Sequence, residues 1–232
     1  MSSLPDGRVC RQAGLPDGRQ AGGPARGLLL LFLTLKIEAS LKNQQEKIMK
    51  RSVYTVCLVI FPFMVCSGIV YSILSLYFAK LGATKSQIGL IYTCGALAGA
   101  ITAPLWGKLA DKWGRKIVLL SSMGLFALVF LGYALSRYYH SLFWPQIVEG
   151  MAWTSMGTSA PALIADIASR KQRGKAMGIY NTAWSMGWIV GPTLGGMLSE
   201  HLGFKSTFLI CVGIMLCGFI LGIFLLPQNT RR

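Results

Sequence analysis

Apolar residues in this chain come in blocks too long for a globular core, separated by short polar links. A hydrocarbon layer of about 30 Å is crossed by ~20 predominantly apolar residues rising 1.5 Å each. Six stretches reach that length: 53–79, 86–106, 117–136, 141–165, 176–199 and 207–226. Backbone polar groups in lipid are satisfied within helices or closed barrels, and no two-residue alternation marks barrel strands here. The pattern predicts an all-α integral membrane protein with six transmembrane helices.

Composition agrees: 53% of residues are apolar, 13% are charged, and the mean hydropathy is +0.52. The net charge of +15 resembles a nucleic-acid footprint only until its placement is considered. From Met49 onward, twelve of the sixteen Lys and Arg residues fall on one side of an alternating topology. These are Lys50, Arg51, Lys108, Lys112, Arg115, Lys116, Arg170, Lys171, Arg173, Lys175, Arg231 and Arg232. The other side carries Lys80, Lys85, Arg137 and Lys205. The positive-inside rule then puts both termini in the cytoplasm of a multi-pass cell-membrane protein. The cations set orientation and touch anionic lipid, and no nucleic-acid partner is expected.

Residues 1–48 differ from the rest. Leu-Pro-Asp-Gly-Arg occurs at 4–8 and 15–19, and Arg-Gln-Ala-Gly at 11–14 and 19–22. This Gly- and Arg-rich repeat has nothing to bury, so disorder is expected. Leu28 to Leu35 is apolar but too short to span. Met49-Lys50-Arg51 directly before the first apolar block makes a natural start, so 1–48 also reads as an over-extended frame and 49–232 as the six-helix bundle.

Five cysteines, Cys57, Cys66, Cys94, Cys211 and Cys217, lie inside predicted spans, and Cys10 lies in the tail. No Cys/His metal spacing appears, so neither a disulfide framework nor a metal site is expected. No nucleophile has a base in plausible reach, and no phosphate-binding loop exists. Enzymatic chemistry is not expected.

The links are short. Residues 82–86 join the first two spans, with Ser86 placed to cap the second. Residues 137–140 join the third and fourth, and 201–205 the fifth and sixth. His140 and His201 fall in such links and are expected to be solvated. The link between spans two and three reads Gly107-Lys-Leu-Ala-Asp111-Lys-Trp-Gly114-Arg115-Lys116. Gly114 permits a positive-φ reversal. Asp111 suits a helix N-terminus or balances nearby cations, and Arg115 and Lys116 are expected at the headgroups.

This link resembles the loop motif G-x-x-x-D-[RK]-x-G-R-[RK] of the major facilitator superfamily at every defined position, between the same two spans. The resemblance covers about Met49 to Pro227 and implies the amino-terminal half of a twelve-helix transporter. It implies that Asp111 engages a helix of the second half, and that Arg115 pairs with an acidic residue closing the fourth helix, for which Asp166 is placed.

The fifth span contains Gly187-Trp-Ile-Val-Gly191-Pro192-Thr-Leu-Gly195-Gly196. Gly187, Gly191 and Gly195 recur every four residues and form one smooth face for another helix. Pro192 removes a backbone donor and favours a kink. The run resembles the G-x-x-x-G-P-x-x-G-G motif of the proton-coupled antiporter, drug-efflux branch. The fourth span departs from that branch. Where R-x-x-Q-G is common, this chain has Gln146-Ile-Val-Glu149-Gly150, with Gln in place of the Arg tied to proton coupling.

Glu149 is the one ionisable residue deep within a predicted span. A charge there costs ~2.5–3.5 kcal/mol on insertion scales, so such residues face a cavity or a partner. Glu149 therefore reads as a proton-carrying or cation-binding site, or as a protonated side chain bonded to a neighbouring helix. Gln146, Glu149 and Trp153 share one helical face, and so do Asn181, Trp184 and Trp188; Tyr71 and Tyr92 add aromatic walls. An acid among aromatics suits lipophilic or cationic substrates, although Trp and Tyr also belong at membrane interfaces.

Facilitator transporters hold substrate between two six-helix bundles near the midplane. The expected function is proton-coupled efflux of a small organic or drug-like compound, with the proton gradient as energy source and no cofactor. The second half would come from the same gene, another chain or a second copy. The alternatives are a non-transporting remnant or membrane interaction module, and half of an uptake permease.

Overall fold

The computed structural model describes residues 24–226, and every regular element among them is a helix. In order these are α1 (Pro24–Lys80), α2 (Lys85–Trp113), α3 (Arg115–Leu135), a 3-10 turn (Tyr139–Leu142), α4 (Phe143–Ile167) and α5 (Arg173–Leu225). Two units divide the chain, Met1–Lys47 and Ile48–Arg232.

In the first unit, the described residues from Pro24 onward are helical, where disorder was expected. The expectation rested on the Gly- and Arg-rich repeat, which occupies 4–22 and lies outside the described residues. Beyond it the composition changes to Leu, Lys, Glu and Gln, all strong helix formers.

The second unit is a helical bundle in which rods of both directions pack side by side. Contacts to α1 fix the path of α5. A Cβ added to Gly187 would meet Met64, one on Gly191 would meet Gly68, and one on Gly195 would meet Ile69 and Ser72. Both numbers rise together, so this limb runs parallel to α1. Past Gly203 the order reverses: Phe208 packs edge-on against Tyr77, the Cys66 thiol reaches toward the Cys211 carbonyl, and Gly218 and Gly222 approach Val59. Gly203, with φ 78° and ψ 161°, turns the chain back on itself. An L-side chain rarely adopts that φ. The expected loop over 201–205 is thus reduced to one residue, and α5 is two limbs.

The other links are equally tight. α2 continues through Gly107–Trp113, so the reversal before α3 is Gly114 alone, at φ 100°. At the start of α2 the cap is Thr84 rather than Ser86. The Gln87 amide donates to Thr84 Oγ1 at 3.3 Å, while the Thr84 amide donates to Gln87 Oε1 at 2.8 Å. Two amides of the first turn are satisfied reciprocally, which a lone Ser86 would not achieve.

Four helices are long and apolar enough to cross a membrane among the described residues: Arg51–Lys80 within α1, α2, α3 and α5. α4 falls below that standard because Gln146, Glu149 and a run of Ser and Thr lower its hydropathy. These groups avoid lipid by position, since α4 packs between α2 and α3. Gln146, Glu149, Ser155 and Ser159 are buried, and Ser155 Oγ donates across to the Val118 carbonyl at 3.2 Å.

Small residues set the helix spacing. A Cβ on Gly95 would lie 2.7 Å from the Gln146 carbonyl oxygen, and one on Gly99 would lie 2.8 Å from that of Gly150. Backbones at this distance gain dispersion contact that larger residues would forbid. Aromatic rings fill the interior: Phe63 sits 4.5 Å from Phe126, and Phe126 lies 5.3 Å from Trp153.

Candidate substrate pocket and loop site

The fourth helix carries its polar face toward α3. Tyr133, fully buried on α3, donates its hydroxyl to Gln146 Oε1 at 2.7 Å and to Glu149 Oε2 at 2.5 Å. Gln146 and Glu149 are one helical turn apart, so a single hydroxyl spans both. Glu149 is 0% exposed, and its Oε1 has no hydrogen-bond partner. The indole nitrogen of Trp153, one turn further along, is likewise buried without a partner. Unpaired buried polar atoms each cost on the order of 1–3 kcal/mol, so this corner is held at a disadvantage by the packing around it.

Beside it opens a pocket of about 370 Å³ between α1, α2 and α4. Tyr71, Tyr92, Gln146 and Trp153 form its larger walls, and Gly95, Gly99 and Gly150 leave the room. Tyr71 sits 5.8 Å from Trp153 and 5.8 Å from Trp188, and Trp184 lies 5.7 Å from Trp153. The structure therefore joins Tyr71, Trp153, Trp184 and Trp188 in one aromatic chain, with Tyr92 across the pocket. Glu149 stands behind this wall rather than in it. Asn181 is exposed and lines no part of the pocket.

Sequence reasoning missed Tyr133. It lies near the end of an apolar span, where tyrosine is ordinarily an interface residue. Its place three residues before the Ser136 cap gave no signal that the hydroxyl turns inward.

The loop motif forms a second constellation. Arg115 Nε donates to Asp166 Oδ2 at 2.8 Å and its NH2 group lies 4.0 Å from Asp111 Oδ1. Asp111 is 79% exposed at its side chain. Arg173 Nε donates to the Ala165 carbonyl at 3.1 Å, so two guanidinium groups meet the C-terminal end of α4, where the helix dipole favours cations. Lys116 donates to the carbonyls of Ile223 and Leu226 at 2.9 and 2.8 Å. Arg115 and Lys116 both reach helix ends, Arg115 beside the C-terminal end of α4 and Lys116 at that of α5. Gly107 has open space around it, as has Gly196, whereas Gly187, Gly191 and Gly195 pack on α1 beside Pro192.

Comparison with known proteins bears on both constellations. The profile of the Major Facilitator Superfamily matches residues 56–232. The chain is 31% identical over 166 residues to the multi-drug resistance efflux pump PmrA homolog of Lactococcus lactis, covering 70% of this chain and 41% of that protein. It is 28% identical over 183 residues to the quinolone resistance protein NorA of Staphylococcus aureus, covering 79% of this chain and 47% of that one. The chain thus spans less than half the length of either. Among solved structures, the human organic anion transporter MFSD10 superposes with a TM-score of 0.63 at 18% identity, over 77% of this chain and 48% of that one. That likeness concerns the fold.

Proposed function

The chain belongs to the major facilitator superfamily, and from that premise we propose that it is the amino-terminal half of a secondary transporter exporting a small organic, drug-like compound in exchange for protons. The bundle crosses the membrane six times with both termini in the cytoplasm. A second six-helix half closes the pocket walled by Tyr71, Tyr92 and Trp153. Glu149 carries the proton, with Tyr133 and Gln146 holding one carboxylate oxygen.

The observation that supports this reading is the position of Glu149. A carboxyl group fully enclosed among helices, with one oxygen bonded to Tyr133 and the other lacking a well-aligned hydrogen bond although Tyr71 and Trp153 stand beside it, sits directly behind an aromatic pocket. A structural carboxyl would be expected to have both oxygens satisfied. The efflux direction rests on the names of the two bacterial relatives and on the glycine-proline run of α5. The departure at Gln146 moves the coupling role from an arginine to the carboxylate one turn on.

Arg115, Asp111 and Asp166 act as the gate's cytoplasmic latch, with the exposed Asp111 presented to the second half. Inside-out membrane vesicles containing the chain with its second half test the reading. A fluorescent lipophilic cation should accumulate when the interior is acidified. Glu149→Gln with unchanged rate and pH dependence would remove the coupling role. Absence of any gradient-driven uptake would favour a bundle that keeps the fold without moving a substrate.

A further inference from the structure

The membrane face opposite the Gly107–Lys116 link has few cations, four from Met49 onward. Two of them, Lys80 and Lys205, are brought together. They line one pocket of about 310 Å³ with Tyr77, Leu81, Leu202, Gly203 and Phe204. Lys80 ends α1, and Lys205 begins the second limb of α5 just past the Gly203 reversal. The Lys80 ammonium lies 5.2 Å from the centre of the Phe204 ring. Among the described residues neither lysine is ion-paired with a carboxylate, although Glu200 stands little more than one turn before Lys205.

Two ammonium groups at one pocket repel each other, and among the described residues no carboxylate pairs with either. An anion between them removes that repulsion. The second limb also starts here, so the positive end of its dipole adds to the same potential. The remaining walls are apolar and aromatic, and Leu202 is 51% exposed. Charge at the rim and hydrocarbon along the wall match a molecule with an anionic head and an acyl tail. A freely soluble anion would use only the first.

We propose that Lys80 and Lys205 bind the phosphate of an anionic phospholipid from the leaflet on this face, with the lipid's glycerol in the pocket and an acyl chain along Leu202. The site is independent of the substrate pocket and of the transport reading. Occupied, it ties the end of α1 to the α5 reversal.

The test uses the purified full chain and phosphatidylglycerol bearing a photoreactive group near its headgroup, at limiting lipid. Labelling is expected within residues 77–81 and 202–205, competed by unlabelled phosphatidylglycerol and not by phosphatidylcholine. Each of Lys80→Gln and Lys205→Gln should lower labelling there about fivefold, and the double variant about thirtyfold, from ~1 kcal/mol per basic residue at a lipid surface. Lys80→Arg with Lys205→Arg should retain it, which guards against loss through misfolding. Removing Lys85 and Arg137, the other two cations of this face, should leave it unchanged. Equal labelling in the Gln double variant overturns the site. Competition by inorganic phosphate as effective as by the lipid overturns the lipid assignment and leaves a soluble anion.

Discussion

Gly150 of α4 stands so close to Gly95 of α2 that a Cβ added to it would fall 1.8 Å from the Gly95 carbonyl oxygen. The obstacle is backbone, which no rotamer change can move aside. Overpacking ordinarily costs ~1–3 kcal/mol, and this contact belongs at or above the upper end. Gly150→Ala should therefore lower the thermal unfolding midpoint in detergent sharply. Gly157→Ala, on the same helix with nothing within 4 Å, should be neutral or stabilising through helix propensity. Equal midpoints for the two variants would show that α2 and α4 are not this close.

The single proton of the Tyr133 hydroxyl is shared between two acceptors, so its loss touches both. Tyr133→Phe leaves Gln146 Oε1 and Glu149 Oε2 buried without their donor. The expected destabilisation is about 1–3 kcal/mol, the cost of leaving a buried polar group unpaired. Glu149→Gln combined with Tyr133→Phe should cost less than the sum of the two single changes, because one partner is already altered. Additive effects in a double-mutant cycle would mean the hydroxyl and carboxyl do not interact.

Arg115 and Asp166 form a pair whose side chains are 30% and 51% exposed. Solvent screens such pairs, so Asp166→Asn should change stability by only ~0.2–1 kcal/mol. Transport should respond far more, if the pair holds the cytoplasmic side of the gate. The exchange of Arg115→Asp with Asp166→Arg should recover part of the rate lost by either single change. Transport by Asp166→Asn equal to that of the unaltered protein would confine the pair to packing.

Lys116 closes the end of α5 by donating to the Ile223 and Leu226 carbonyls. Lys116→Met keeps the stem and removes the donors. Hydrogen exchange in the last turn of α5 should accelerate about tenfold or more, as hydrogen bonds from a charged group contribute ~1.5–3 kcal/mol. Exchange around Gly203 should not change. A uniform acceleration across the bundle would point to general unfolding instead of a lost cap.

The helical, membrane-spanning class was legible because lipid demands long apolar runs, and those runs survive any error in their edges. The spacing of Gly187, Gly191 and Gly195 announced a close contact, although only the structure names α1 as the neighbour. The ion pair of Arg115 with Asp166 followed from a motif. Tyr133, Arg173 and Lys116 were not legible in the same way. Each acts on a group in another helix, and a single residue's type does not reveal whether it faces lipid, water or a carbonyl. The helix over 24–48 was missed because the Gly-rich repeat before it dominated the composition. The Ser86 cap failed for a local reason, since Thr84 with Gln87 makes two bonds where Ser86 could make one.

The reversal at Gly203 has a mechanical consequence. A loop of several residues would let its two helices slide past each other; a single dihedral pair gives no slack. The ends of the two limbs of α5 must therefore move together, and a displacement of the first along its axis is passed to the second. Extra residues spliced at this point would uncouple them, so the shortness of the turn, rather than the contacts along it, makes the pair a rigid lever.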